Sequence, residues 1–101
     1  MKISVHPLAE RDITDAFRFY RREAGVGVAL RFVAEVERVI TLLRRHPQIG
    51  SPSGSLPDAQ RRAYRLTGFP CTVIYRPVPD GLRLLVVRHQ GRDPSYGDDR
   101  G

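Results

Sequence analysis

Lysine is almost missing from this chain of 101 residues: Lys2 is the only one. Cysteine occurs once, as Cys71, methionine once, and tryptophan not at all. A lone cysteine allows no disulfide within the chain. Its place between Pro70 and the strand-like run Thr72-Val73-Ile74-Tyr75 favours a small buried residue over a reactive thiol. The three histidines, His6, His46 and His89, are scattered, so no spacing supports a metal site, and no cofactor is expected. No run of about 18 apolar residues occurs, and residues 1–12 turn charged before any apolar segment develops. Neither a membrane span nor a secretory signal is expected, which reads as a cytoplasmic protein without membrane contact. A chain of this length supports one core, so residues 1–101 are expected to form a single domain.

Arginine fills the place of lysine. Lys+Arg total 17 against 11 Asp+Glu, for a formal net charge of +6, and all the basic residues except Lys2 are arginine. Residues 1–60 carry 9 basic and 7 acidic residues and residues 61–101 carry 8 and 4, so the C-terminal part holds most of the excess. Arginine presents a planar fork that binds phosphate or carboxylate in bidentate fashion. The composition points to an anionic partner, and a nucleic acid and an acidic protein segment satisfy it equally.

Along the chain, residues 2–6 are short and partly alternating, as in a strand, and Pro7 suits the first turn of a helix. Ala9, Ile13, Ala16, Phe17 and Tyr20 then mark one apolar face of a helix from about residue 8 to 23, with Asp12 assigned among the charged residues of the other face. Gly25 and Gly27 interrupt the pattern. Ala29, Phe32, Val33, Val36, Ile40 and Leu43 mark a second helix of about 28–46, stopped by Arg44-Arg45-His46 and by Pro47 and Gly50. So short a break predicts an antiparallel helix hairpin. Residues 46–60, rich in Pro, Gly and Ser with Ile49 and Leu56 as the only large apolar residues, read as a long surface loop. Residues 61–68, 71–77 and 82–89 have strand composition, with a turn at 77–81, and predict a three-strand antiparallel meander. The expected fold class is α+β in the order β-α-α-β-β-β, with the sheet covering the hairpin. Simple alternation in the last strand puts Leu82, Leu84, Val86 and Arg88 on one face and Arg83, Leu85, Val87 and His89 on the other. Apolar on both faces, that strand is expected to be interior, with its polar end opening onto a rim.

His6-Pro7-Leu8-Ala9 with Asp12, Phe32, Pro47 with Gly50, Phe69-Pro70 before Thr72-Val73-Ile74-Tyr75-Arg76, and Arg88-His89 followed by Arg92-Asp93-Pro94 stand in one order. In that order and spacing, over nearly the whole chain, the sequence resembles the ParE toxins of the RelE/ParE superfamily. The resemblance implies the toxin of a bacterial type II toxin-antitoxin system. Its implied partner is a ParD-like ribbon-helix-helix antitoxin with an acidic tail, bound in a hetero-oligomer that reaches operator DNA only through the antitoxin. For the ParE branch the implied target is DNA gyrase; for the RelE branch the implied activity is ribosome-dependent mRNA cleavage.

Metal-free RNA cleavage needs a base, an acid and fixed cations around the reacting phosphate. His89, Arg92 and Tyr96 are the candidates, Tyr96 falling about where RelE-like nucleases carry a functional tyrosine. Those nucleases also draw on lysines on the middle strands, and arginine cannot donate a proton at neutral pH. For His89 the competing reading is a strand-end histidine bonded to backbone. No catalytic set is therefore favoured. Arg88, His89 and Arg92 are expected to bind the target as a rim. Arg61, Arg65, Arg76 and Arg83 are expected to meet the carboxylates of an antitoxin segment laid in a groove. The tail from about residue 93 need not be ordered, and its removal is expected to leave folding intact. A non-toxin nucleic-acid-binding module is a weaker alternative, since the sequence carries no Gly-rich phosphate loop and no aromatic RNA-binding signature.

Overall fold

A computed structural model describes residues 2–53 and 60–101. The elements run β1 (Lys2–Val5), α1 (Pro7–Ala24), α2 (Val26–Arg45), β2 (Ser51–Pro52), β3 (Arg62–Arg65), β4 (Cys71–Val78) and β5 (Gly81–His89). The class is α+β, with a strand, a helix pair and then the remaining strands.

Both helices begin and end where local chemistry dictates. His6 caps α1, its Nδ1 accepting from the Leu8 N–H at 3.0 Å, and Pro7 occupies the first turn. Gly25, at φ 96°, alone makes the break between the helices, so α2 starts at Val26 and takes in Gly27. After α2 the chain is pinned by Tyr75, whose buried hydroxyl donates to the Pro47 carbonyl at 2.8 Å and accepts from the Gly50 N–H at 3.0 Å. A Cβ on Gly50 would lie 2.7 Å from that hydroxyl, which explains the Pro47 and Gly50 signal.

The sheet has the order β1-β5-β4-β3-β2. The meander β3-β4-β5 is antiparallel, as expected. β1 adds to it parallel, with Ile3 opposite Leu82 and Val5 opposite Leu84. β5 is therefore interior. Within the expected long loop, Ser51 and Pro52 pair with Ala63 and Arg62 as a two-residue edge strand; residues 54–59, Leu56 among them, lie outside the described residues.

One face of the sheet carries the helix hairpin. Phe32, Val36, Val39 and Leu43 of α2 pack with Ala9 of α1 and with Val73, Tyr75, Leu82, Leu84 and Val87 of the sheet. An aromatic cluster closes one end of this core: Tyr20, Phe32 and Phe69 lie with ring centroids 5.2–5.4 Å apart. Phe69 thus serves packing, and burying such rings supplies a large share of core stability.

The alternation expected for the last strand breaks at one place. Ile74 pairs with Val86 but Tyr75 pairs with Leu84, so Leu85 is an extra residue and the register shifts. Beyond this bulge the faces exchange: Val87 and His89 turn to the helix side, while Val86 and Arg88 turn away. The bulge also produces a second small core of Ile74, Leu85 and Val86 on the face opposite the helices, with Ala63 and Tyr96 against it.

The C-terminal segment covers that second core. Asp93 starts it, its Oδ1 accepting from the Ser95 N–H at 2.8 Å and the Ser95 hydroxyl at 2.7 Å, bonds that hold the Asp93 carboxyl below its ordinary value. Successive turns follow, with Tyr96 N–H donating to the Asp93 carbonyl, Asp98 to Ser95 and Arg100 to Gly97. The tail is therefore a packed part of the fold, which corrects the expectation that it contributes little.

Candidate functional site

Asp12 organises the polar end of the molecule. It sits one turn from Ala9 and Ala16 on the inner face of α1 and is 8% exposed, not on the polar face expected of it. Its carboxylate accepts from the Val87 backbone N–H at 3.0 Å, from the Tyr96 hydroxyl at 2.6 Å and from the Arg100 guanidinium at 2.6 Å. Arg100 also donates to the Leu85 carbonyl at 3.0 Å, and burial of both partners makes this ion pair a local structural commitment. α1, β5 and the tail meet at one carboxylate. Two guanidinium groups lie against the Tyr96 ring, Arg92 at 4.5 Å and Arg100 at 4.8 Å from its centroid.

Beside this junction α1 and the end of β5 enclose a cleft of about 390 Å³. Ala16, Phe19, Tyr20, Cys71 and Val87 supply its apolar lining, and Asp15, His89 and Arg92 its polar lip. Phe19 is 43% exposed and stands edge-on to His89, with centroids 6.5 Å apart. Cys71 is buried, and burial raises its thiol above the ordinary range. The Tyr20 hydroxyl, 4.0 Å from that sulfur, is pushed up to about 12, chiefly by burial. Both groups are protonated at neutral pH, so the floor of the cleft is uncharged apart from Asp12.

The structure brings His89, Arg92 and Tyr96 to this one cleft, but each is engaged in a way that serves structure. His89 Nδ1 accepts from the Gly91 N–H at 3.1 Å, which in the neutral ring places the proton on Nε2. Nε2 is then a donor and not a base. Tyr96 turns its hydroxyl inward to Asp12, and Arg92 lies on the Tyr96 ring. The strand-end reading of His89 describes its geometry.

Arg88 does not join them. The bulge sends it to the opposite sheet face, where it donates to the Pro94 carbonyl at 2.8 Å. The arginines expected on a groove rim lie on that same face, and they differ in access. Arg61 is 5% exposed and donates to the carbonyls of Gly97, Asp98 and Arg100. It is a bracket for the tail, which corrects its expected place on the rim. Arg76 and Arg83 are directly paired across β4 and β5 and both reach the Gly101 carbonyl. Arg65 is exposed at the other end of the sheet. The groove surrounded by arginine is thus occupied, at its centre, by the protein's own C-terminal segment.

The junction was missed at the level of sequence for two reasons. Asp12 had a signal: it falls at i+3 from Ala9 and at i−4 from Ala16, inside the apolar stripe, where a carboxylate demands a partner. Arg100 had none, since it lies in a polar stretch 88 residues from Asp12.

The fold has a counterpart among solved structures. The solved structure described as "Chromosomal ParDE TA system from P. aeruginosa" superposes with a TM-score of 0.74 at 18% sequence identity, covering 88% of this chain and 95% of that one. At this identity the likeness is one of fold. A search of curated proteins by sequence gives no significant match. The family profile described as "ParE toxin of type II toxin-antitoxin system, parDE" matches residues 3–94, which takes in α1 with Asp12, the sheet apart from Lys2, and the rim residues His89 and Arg92. The chain belongs to the ParE toxin family of type II toxin-antitoxin systems.

Proposed function

We propose that this toxin acts on DNA gyrase by holding it, without cutting RNA, and that a ParD-like antitoxin neutralises it. The observation that carries the choice is the state of the three nuclease candidates. His89 offers a donor, Tyr96 is committed to Asp12, and Arg92 lies on the Tyr96 ring. General acid–base cleavage needs a base within reach of the proton it removes, and none of these three candidates presents one to the cleft. What it presents is a rim: an exposed aromatic, an imidazole N–H and a guanidinium around an apolar hollow, the composition of a protein-binding hot spot. Phe19, His89 and Arg92 form the proposed target contact. Arg76 and Arg83, side by side at the far end of the sheet, are the arginines we assign to the carboxylates of the antitoxin.

The test uses two assays on one preparation. Purified toxin is expected to inhibit gyrase supercoiling and to leave ribosome-bound mRNA intact. His89→Ala with Arg92→Ala is expected to weaken the inhibition at least tenfold, a rough value for loss of hot-spot contacts, with an unchanged circular dichroism spectrum. Ribosome-dependent mRNA cleavage abolished by His89→Ala or Tyr96→Phe would reverse the choice in favour of the nuclease branch.

A further inference from the structure

The face of the sheet away from the helices has a second feature at its open end. The register sets Arg65 opposite Thr72 and Thr72 opposite Arg88, so these residues form one row across β3, β4 and β5. Directly opposed residues of an antiparallel pair project to the same side. Neighbouring strands lie about 4.8 Å apart, which leaves the two arginines roughly 10 Å apart at Cα, one on each side of the threonine hydroxyl. The three line a shallow cleft of about 170 Å³, completed by Pro70, Gln90 and Pro94. Arg65, Thr72, Arg88 and Gln90 all carry hydrogen-bond donors, and among the described residues the lining contains no carboxylate. The cleft on the helix side, by contrast, includes Asp12 and Asp15. One N–H of Arg88 is held by the Pro94 carbonyl, which braces the guanidinium at the wall of the cleft.

We infer that this row is a phosphate-binding site. Donors from three neighbouring strands line one cleft, and the non-coplanar oxygens of a tetrahedral phosphate suit such a set better than the two coplanar oxygens of a carboxylate. Arginine supplies the charge-assisted bonds and Thr72 a neutral one. The group bound can be a phosphodiester of a nucleic-acid strand or a free phosphate, which share this chemistry. No group in the row transfers a proton at neutral pH, so the site binds and does not cleave. The inference does not depend on which target the toxin attacks.

The test follows the arginine Nε–H and backbone amide signals of the full chain by NMR during titration with inorganic phosphate, with acetate at equal ionic strength as the carboxylate control. Signals of Arg65, Thr72 and Arg88 are expected to shift and saturate with phosphate and to stay in place with acetate. Arg65→Ala and Arg88→Ala are each expected to weaken binding about tenfold, the loss of one charge-assisted contact. Thr72→Val, which keeps the shape of the strand, should weaken it less, and Arg18→Ala on the exposed side of α1 not at all. A single-stranded oligothymidylate is the second arm. If the strand is the source of the phosphate, Arg65→Ala should lower the dependence of log affinity on log salt by roughly 0.7; if the oligonucleotide ignores these residues while phosphate still binds, the site is one for free phosphate or a mononucleotide. Equal shifts with acetate, shifts spread over arginines outside the row, or preferential binding of a glutamate-rich peptide would overturn the proposal.

Discussion

Asp12 and Arg100 form a pair whose side chains are 5% and 6% exposed. Taking both charges out of water is expensive, and their attraction offsets the cost only while both are present. Asp12→Ala is therefore expected to destabilise the toxin by about 3–5 kcal/mol, read as a lower urea midpoint. Asp12→Leu combined with Arg100→Met should recover much of that loss, because apolar side chains of similar volume remove the uncompensated charge. A single-variant cost below about 1 kcal/mol would mean that the Arg61 bonds to the tail carbonyls and the packing of Tyr96 on the second core suffice to hold the tail. Glu35 shows a milder case. It accepts two bonds from Arg38, at 2.7 and 2.8 Å, and one from the Thr67 N–H at 2.6 Å, joining α2 to the loop before β4. The Arg38 bonds, outweighing burial and aided by Thr67, hold its carboxyl below the ordinary value of 4.5. A depressed carboxyl stabilises the fold above the unfolded value and loses that contribution as pH falls through the folded one. Stability should thus decline in acid below about pH 4.5, and Glu35→Gln should flatten that decline in urea titrations repeated across pH.

At the scale of elements, the tail behaves as a strap closing the second face of the sheet. Cutting the chain after Arg92 would expose Ile74, Leu85 and Val86 and leave Asp12 and Arg61 without the tail partners they now hold. Such a truncation is expected to aggregate or to unfold below the temperature of the intact protein by more than about 15 °C, since 1 kcal/mol shifts a domain of this size by roughly 4–8 °C. Gly97→Ala probes the strap more gently. Gly97 has φ +85° and its α-carbon faces the Val86 methyls closely enough that an added Cβ collides with them, so a loss of about 1–3 kcal/mol is expected in thermal melts. The helices and the meander were legible because their signals are local. Ala29, Phe32, Val36 and Leu43 recur at helical spacing, and the turn after Val78 separates two apolar runs. Gly27 misled the start of α2 because one glycine with positive φ, Gly25, is enough to turn the chain. The bulge at Leu85 was not legible, since Gly81–His89 reads as apolar on either face and a one-residue shift leaves no mark in such a run.

At the scale of the whole molecule, a formal charge of +6 governs approach to any acidic partner. If Arg76 and Arg83 steer the antitoxin while buried apolar contacts hold it, raising salt should slow association and leave dissociation nearly constant in stopped-flow measurements. A steep rise in the dissociation rate would show a complex held by charge. The sequence by itself determined the class of the fold, the helix hairpin, the meander and the basic balance, because periodicity, turn residues and composition act over a few neighbouring positions; the family followed separately, from the resemblance carried by the order and spacing of motifs along the chain. It also contained the candidates His89, Arg92 and Tyr96, which the fold brings to one cleft. Only the tertiary structure decided what those residues do: that β1 lies parallel beside β5, that a bulge sends Arg88 and His89 to faces opposite to those alternation implies, and that Asp12 waits for Arg100 88 residues later. Pairing at such separations is set by which buried charges must be neutralised and which apolar faces must be covered, and those demands exist only once the chain has folded back on itself.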